Sequence, residues 1–194
     1  MDIRTNIKPG TCRFTKVRNG AKVDIPANEI WSLDVSKHSG DVMVRTFTGD
    51  VVVSGTFDEA VETFHRAGGR LCVFHRAEAP TRIGLPCARI ERVERSEKDG
   101  GATTLVKTSD GTVCVAESYD AAVEIVRATD PRIATLHRRG SGYEFSFRVA
   151  LVRGVGIFDG NGIVFVKIGD ICCNIVETFP AACGLVARFA QNAA

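Results

Sequence analysis

The sequence predicts a mainly β protein of the α+β class, built from three tandem repeats. We expect each repeat to be a small antiparallel sheet of about five strands, or a half-barrel, closed by one C-terminal helix. Three observations predict this fold: an internal repeat with a period near 60 residues, apolar alternation around glycine turns, and an amphipathic helical pattern after each turn.

The internal repeat is clearest between the first and second copies. The segment Thr46–Val53 (TFTGDVVV) recurs as Thr108–Val115 (TSDGTVCV), at an offset of 62 residues. Upstream, Ile25–Ile30 recurs as Leu85–Ile90 at an offset of 60 residues. The difference of two residues falls in the loop between these segments, where insertions are tolerated.

A third copy is indicated by weaker matches. Leu71–Arg76 matches Ile133–Arg138, and Thr56–Val61 matches Thr178–Cys183. The predicted boundaries are an N-terminal arm at 1–9 and repeats at 10–69, 70–130 and 131–194, the last of them divergent.

A single repeat of this length buries too little surface to be stable alone. Three repeats in tandem can bury their faces against one another in a row, or close a pseudo-threefold ring. The divergence of the third repeat is compatible with a cap or with a functional site.

Each predicted repeat contains short β-prone runs. The first three runs of the first repeat are Cys12–Val17, Lys22–Ile25 and Ile30–Val35. The counterpart of the third run, 90–95 (IERVER), resembles a charged helix when taken alone, but alignment with the first repeat favours a strand. A hairpin follows, because apolar residues alternate along 42–46 and a glycine occupies the turn. The turn glycines are Gly49, Gly111 and Gly169.

Each repeat ends in a predicted amphipathic helix. Thr56, Ser118 and Thr178 are suitable N-caps, and Thr56 with Glu59 forms a capping box. Pro180 falls in the first helical turn, where its missing N–H costs nothing. The apolar stripes follow i, i+3, i+4, i+7 spacing; they are Phe57, Ala60, Val61, Phe64, then Tyr119, Ala122, Val123, Val126, then Phe179, Ala182, Cys183, Val186.

Composition excludes several classes of protein. The chain has 194 residues, 44% of them hydrophobic and 25% charged, and a net charge of +2, which excludes a disordered chain or a polybasic tail. No apolar run is long enough for a transmembrane helix, and the first ten residues lack the apolar core of a secretory signal. The seven cysteines include no Cys-x-x-Cys pair, which disfavours a zinc site or a disulfide framework. We therefore expect a cytoplasmic protein without contact with a membrane.

No catalytic or cofactor-binding motif is recognisable. The stretch Gly154–Asp159 (GVGIFD) has Asp159 where a dinucleotide fingerprint needs its third glycine. His75 and His137 are repeat-equivalent, which favours a structural or surface role. A nucleophilic role for Cys172 or Cys173 is disfavoured, because nothing nearby in sequence lowers the pKa of a thiol. We expect no catalytic residue, no metal and no cofactor.

Basic residues recur at equivalent strand positions in all three repeats. One set lies on the predicted fourth strand and the other at the end of the first. These positions could present phosphate-binding sites, one per repeat. The competing interpretation, which we favour, is a solvated strand face that also protects sheet edges from aggregation. The residues are Arg45, Lys107 and Lys167, and Lys16, Arg76 and Arg138.

The second repeat resembles the small flagellar FlbD-type β-rich family. The resemblance rests on Ile90–Glu94 (IERVE), Thr103–Val106 (TTLV) and Asp110–Val115 (DGTVCV), followed by Glu117 and Ser118 before a helix. It covers one repeat at a time. Members of that family are single-unit chains without a known catalytic site, so the resemblance implies a non-enzymatic module. Because this chain is triplicated, a flagellar role is not carried over.

Two functions from different classes remain open. The favoured one is a non-enzymatic adaptor or structural protein, of a cell or a phage, acting through protein–protein contacts and self-association as a homo-oligomer. The alternative is an anion-binding protein that binds nucleic acid or sequesters a nucleotide through the six repeated basic residues. An enzyme ranks third and would be built around 138–170 of the divergent repeat.

Overall fold

The structure is a computed structural model that describes residues 10–191. The predicted N-terminal arm, 1–9, lies outside the described residues. The architecture is mainly β, with antiparallel sheets and a helix at the C-terminal end, as predicted. None of the helices in this part of the chain has both the length and the apolar character needed to span a bilayer.

The elements follow one another with short connections. The first are β1 (Thr11–Thr15), β2 (Lys22–Pro26), β3 (Ile30–Val35), β4 (Val42–Thr46), β5 (Gly49–Val53) and α1 (Phe57–Arg66). Next are β6 (Leu71–His75), β7 (Arg82–Pro86), β8 (Ile90–Arg95), β9 (Thr104–Thr108), β10 (Gly111–Val115) and α2 (Tyr119–Thr129). The last are β11 (Ile133–His137), β12 (Glu144–Arg148), β13 (Val152–Ile157), β14 (Val164–Ile168), β15 (Ile171–Asn174) and α3 (Phe179–Gln191).

Contacts divide the chain into two compact units, the first ending at Arg89 and the second beginning at Ile90. The predicted boundaries at 69/70 and 130/131 follow the sequence period and stay a prediction. The division by contacts falls elsewhere because the sheets cross the predicted boundaries.

The first unit contains a five-stranded antiparallel sheet in the order β5-β4-β3-β7-β6 and a separate β1-β2 hairpin. The grouping of strands into sheets therefore differs from the prediction. The sheet of the first unit includes β6 and β7, which belong to the predicted second repeat. The reason is the connection between β2 and β3. It is a single 3-10 turn, Ala27–Glu29, and the strands before and after it do not pair. The free edge of β3 pairs instead with β7, at Leu33–Gly84 and Asp34–Ile83.

The second unit is built in the same way. Its five-stranded sheet has the order β10-β9-β8-β12-β11, and β13-β14-β15 form a separate three-stranded sheet. β8 confirms the strand predicted over 90–95, and it pairs with β12 through Arg92–Phe147, Val93–Ser146 and Glu94–Phe145.

The helices cover the sheets with the predicted apolar stripes. In α1, Phe57, Ala60 and Phe64 are buried in the core of the first unit. The predicted capping box is present: Thr56 Oγ1 accepts from Glu59 N at 3.2 Å, and Glu59 Oε2 accepts from Thr56 N at 2.7 Å. In the second unit, α3 packs against β11 and β13 and buries Ala182.

The hairpin turns confirm the predicted role of glycine. Gly49, Gly111 and Gly169 have φ angles of +132°, +156° and +55°. Residues with a side chain rarely adopt this backbone conformation, so glycine allows each hairpin to turn tightly.

Candidate functional site

Arg45 and Arg76 converge on one buried carboxylate in the first unit. Asp34, in β3, is 2% exposed. Arg45 Nε donates to Asp34 Oδ2 at 2.9 Å, and Ser32 Oγ donates to the same oxygen at 2.7 Å. Arg76, which follows β6, donates from both Nε, at 3.1 Å, and Nη2 to Asp34 Oδ1. The two guanidinium groups thus neutralise a carboxylate that would be costly to bury alone.

Lys107 and Arg138 form the equivalent cluster in the second unit. Its carboxylate is Glu94 of β8, which is 8% exposed. Arg138 Nη2 donates to Glu94 Oε2 at 2.8 Å, and Lys107 Nζ lies 3.5 Å from Glu94 Oε1. Arg92 Nε also donates to Glu94 Oε2, at 2.9 Å. These four side chains form a charged network, which we call the Glu94 cluster.

Lys167 and Lys16 differ from the other four predicted basic residues, because neither is paired with a carboxylate within residues 10–191. Lys167, in β14, is exposed, and Lys16 is half-buried with a backbone bridge to Val53. In β13, Gly156 occupies the position equivalent to Asp34 and Glu94. A Cβ at Gly156 would lie 2.5 Å from the ring of Phe165, so an aromatic ring fills the place of the carboxylate.

The structure therefore brings four of the six predicted basic residues together in two pairs, each with one residue from each predicted set. The repeat pattern in the sequence predicts the cations but not the carboxylates between them. A signal was present, because Asp34 and Glu94 are acidic residues at an offset of 60 within two predicted strands. A lone acidic residue in a strand is usually solvent-facing, so this signal is visible only when the two strands are compared.

The buried thiols of Cys12 and Cys173 are poor nucleophiles. Burial raises the pKa of Cys12 to about 11, and burial also raises the pKa of Cys173, although Arg92 and Arg138 oppose the increase. A raised pKa leaves little reactive thiolate near neutral pH. No group of three or more His, Cys, Asp or Glu side chains in the described part of the chain is arranged to hold a metal ion.

The hydroxyl of Tyr119 is buried in a chain of hydrogen bonds. Its Oη lies 2.7 Å from Ser146 Oγ, which in turn lies 2.6 Å from Thr135 Oγ1. Burial raises the pKa of Tyr119 to about 12, so the hydroxyl stays protonated at neutral pH. This chain of hydrogen bonds fastens the first residue of α2 to β12.

Two strand edges are further candidate sites, one in each unit. Among the described strands, β2 pairs only with β1, and β13 pairs only with β14. Their counterparts β7, β12, β3 and β8 are paired along both edges. An unpaired strand edge exposes a row of N–H and C=O groups, which can pair with a strand of another chain.

Comparison of the chain with protein-family models, with curated proteins and with solved structures finds no match. The resemblance to the FlbD-type family therefore stays a prediction, and the candidate sites are argued from their geometry alone.

Proposed function

We propose that this chain is a non-enzymatic binding and assembly protein that acts through protein–protein contacts, including self-association. The observation that carries the proposal is the pair of open edges, on β2 and β13. Such edges bind a partner by adding a strand: main-chain hydrogen bonds provide affinity and alternate side chains provide specificity.

The proposal includes a triplicated unit. Its support is the order of five strands followed by one helix, which occurs over 11–66, 71–129 and 133–191. The sheet pairings add support, because both junctions between consecutive copies use equivalent strands. At each junction a third strand pairs with the second strand of the next copy, and among the described third and second strands β13 and β2 lack this pairing.

The anion-binding alternative has narrower support. Four of its six residues, Arg45, Arg76, Lys107 and Arg138, already neutralise Asp34 or Glu94. Only Lys16 and Lys167 have no carboxylate partner within the described range. Two separate lysines provide little of the charge that phosphate recognition needs.

Light scattering behind a sizing column tests the proposal, at several protein concentrations and at low and high salt. A mass that rises with concentration above the 20.9 kDa of one chain, without nucleic-acid absorbance and with little dependence on salt, supports assembly. A monomer that releases 260 nm-absorbing material at high salt contradicts assembly and favours anion binding. In that case, Lys167→Gln should weaken retention of the nucleic acid, while the matched control Lys98→Gln in an exposed loop should not.

A further inference from the structure

The chain contains two examples of one junction between strands. In both, a third strand (β3 or β8) pairs antiparallel with the second strand of the following copy (β7 or β12). The registers are equivalent, since Leu33–Gly84 corresponds to Val93–Ser146, and Asp34–Ile83 to Glu94–Phe145. The terminal strands are the same two elements without their partners, because β13 corresponds to β3 and β8, and β2 corresponds to β7 and β12.

Burial distinguishes the paired strands from the terminal ones. Four of six residues are buried in both β3 and β8, and none of the six residues of β13 is buried. Four of five are buried in β7 and three of five in β12, but only Ile25 is buried in β2. Each terminal strand thus lacks cover that its counterparts have.

The first residue of each helix shows the same difference in burial. Phe57 and Tyr119 are 4% and 2% exposed, and Phe179 is 36% exposed. The two buried rings are covered by the junction strands: Arg82 of β7 stacks on Phe57 at 4.6 Å, and Tyr119 bonds to Ser146 of β12. Phe179 has the same place at the start of α3, beside a sheet that ends at β13.

We infer that the partner of the β13 edge is the β1-β2 hairpin of a second copy of this chain, so that copies associate head to tail. The inference rests on the proposed function and names the partner of its open edges. The registers at the two existing junctions place Val155 opposite Asp24, and Gly156 opposite Val23, of the second copy. Lys22 of the second copy then corresponds to Arg82, which stacks on the helix-initial ring.

The chemistry of the two edges fits this contact. In β13, Gly156 and the ring of Phe165 occupy the place of the buried carboxylate of Asp34 or Glu94. The β13 edge therefore has no carboxylate at this position that would need a cation from the partner. Asp24 is already paired with Arg13 by two hydrogen bonds of 2.6 Å, so its entry into the junction buries a paired charge. Pro26 is no obstacle, since Pro86 ends β7 at the same position in an existing junction.

The symmetry of this contact is heterologous, because one copy contributes β13 and the other contributes β2. Such contacts form closed rings when the rotation between copies closes, and filaments when it does not. An open assembly retains one unpaired β13 edge and one unpaired β2 edge, on its two end copies, until a ring closes.

Disulfide cross-linking between separately purified variants tests the register. One variant is Val155→Cys and the other Asp24→Cys, both in a Cys172→Ser background that removes the exposed native thiol. Directly opposed residues in antiparallel strands have Cα atoms about 4.5–5.5 Å apart, within disulfide range. The mixture, oxidised with oxidised glutathione, should give a covalent dimer containing one copy of each variant, whereas neither variant alone should. The matched control Arg153→Cys lies two residues from Val155 and should cross-link at least tenfold less to Asp24→Cys.

The outcomes separate this inference from the proposed function. Dimers formed by either variant alone indicate a symmetric edge contact and overturn the head-to-tail arrangement. An oligomeric wild type whose variants fold, by circular dichroism, but give no mixed disulfide leaves assembly standing and overturns this partner. A wild type that is monomeric at every concentration overturns both.

Discussion

At the scale of the residue, Asp34 is the carboxylate that two arginines of the first unit neutralise. Its carboxylate is buried, whereas the side chains of Arg45 and Arg76 are 43% and 35% exposed. Asp34→Ala leaves two guanidinium groups without their anion, but both can be partly rehydrated, so we expect a loss of about 1–3 kcal/mol in the free energy of unfolding rather than the larger cost of a fully buried pair. Urea unfolding at pH 7 measures this loss.

Asp50→Ala is the matched control for Asp34→Ala. Asp50 faces the same Arg45 at 3.9 Å, and both side chains are exposed. Exposed pairs of this kind contribute little, so its effect should stay within about 0.5 kcal/mol. Equal effects of the two substitutions would show that burial of Asp34 has no energetic consequence.

Asp130 makes the stability of the second unit depend on pH in the acid range. Burial alone would raise the pKa of Asp130, but hydrogen bonds from Arg132 and Arg148 outweigh burial and hold this pKa below its ordinary value. Because the folded pKa is depressed, the contribution to stability is complete above the unfolded pKa and is lost as the pH falls through the folded pKa. Asp130→Asn should therefore flatten the decrease in unfolding free energy below about pH 4.

Urea unfolding between pH 7 and pH 2 checks this acid dependence. The control is Asp159→Asn, an exposed carboxylate in the β13–β14 turn with no partner within residues 10–191. If the Asp130 and Asp159 variants follow the same acid profile as the wild type, the ion pairs of Asp130 do not stabilise the fold.

At the scale of the element, α1 depends on its first turn. Thr56→Ala removes the acceptor for Glu59 N, whereas the backbone N–H at position 56 can still donate to Glu59 Oε2. The expected loss in unfolding free energy is about 1 kcal/mol. Thr63→Ala is the same substitution inside the same helix, where alanine has the higher helix propensity, so it should be neutral or stabilising. Thermal unfolding monitored by circular dichroism compares the two, and a loss at Thr63 as large as at Thr56 would exclude capping as the cause.

The elements could be predicted from sequence, but their assembly into sheets could not. Apolar alternation, glycine turns and the Thr56 cap are local signals, and they located the hairpins and helices correctly. The pairing of β3 with β7 joins residues about 50 positions apart through Leu33 and Gly84, and no local pattern marks such a register. The buried acids escaped prediction for a related reason: Asp34 is neutralised by Arg76, 42 residues away, and only the folded chain brings them together.

At the scale of the whole molecule, the open edges make stability depend on protein concentration. If copies bind head to tail, folded chains are stabilised by mass action and unfolded chains are not. Well above the dissociation constant, each tenfold rise in concentration adds about 1.4 kcal/mol per contact. For a chain of this length, 1 kcal/mol shifts the midpoint of thermal unfolding by about 2–4 °C, so a tenfold rise should add about 3–6 °C.

Phe179→Ala tests the contact between copies separately from the stability of a single copy. The ring of Phe179 is 36% exposed in the single chain, so its loss removes little from the core but takes away the side chain that the hairpin of a second copy would cover. The midpoint of this variant should not change with concentration. Phe47→Ala is the matched control, because Phe47 is 57% exposed and lies at the turn between β4 and β5, in neither of the two open strands. It should keep the wild-type dependence. Scanning calorimetry over a hundredfold range of concentration decides the matter: if the wild type and the Phe179 variant show the same slope, Phe179 takes no part in association, and the edge of β13 binds something other than the hairpin.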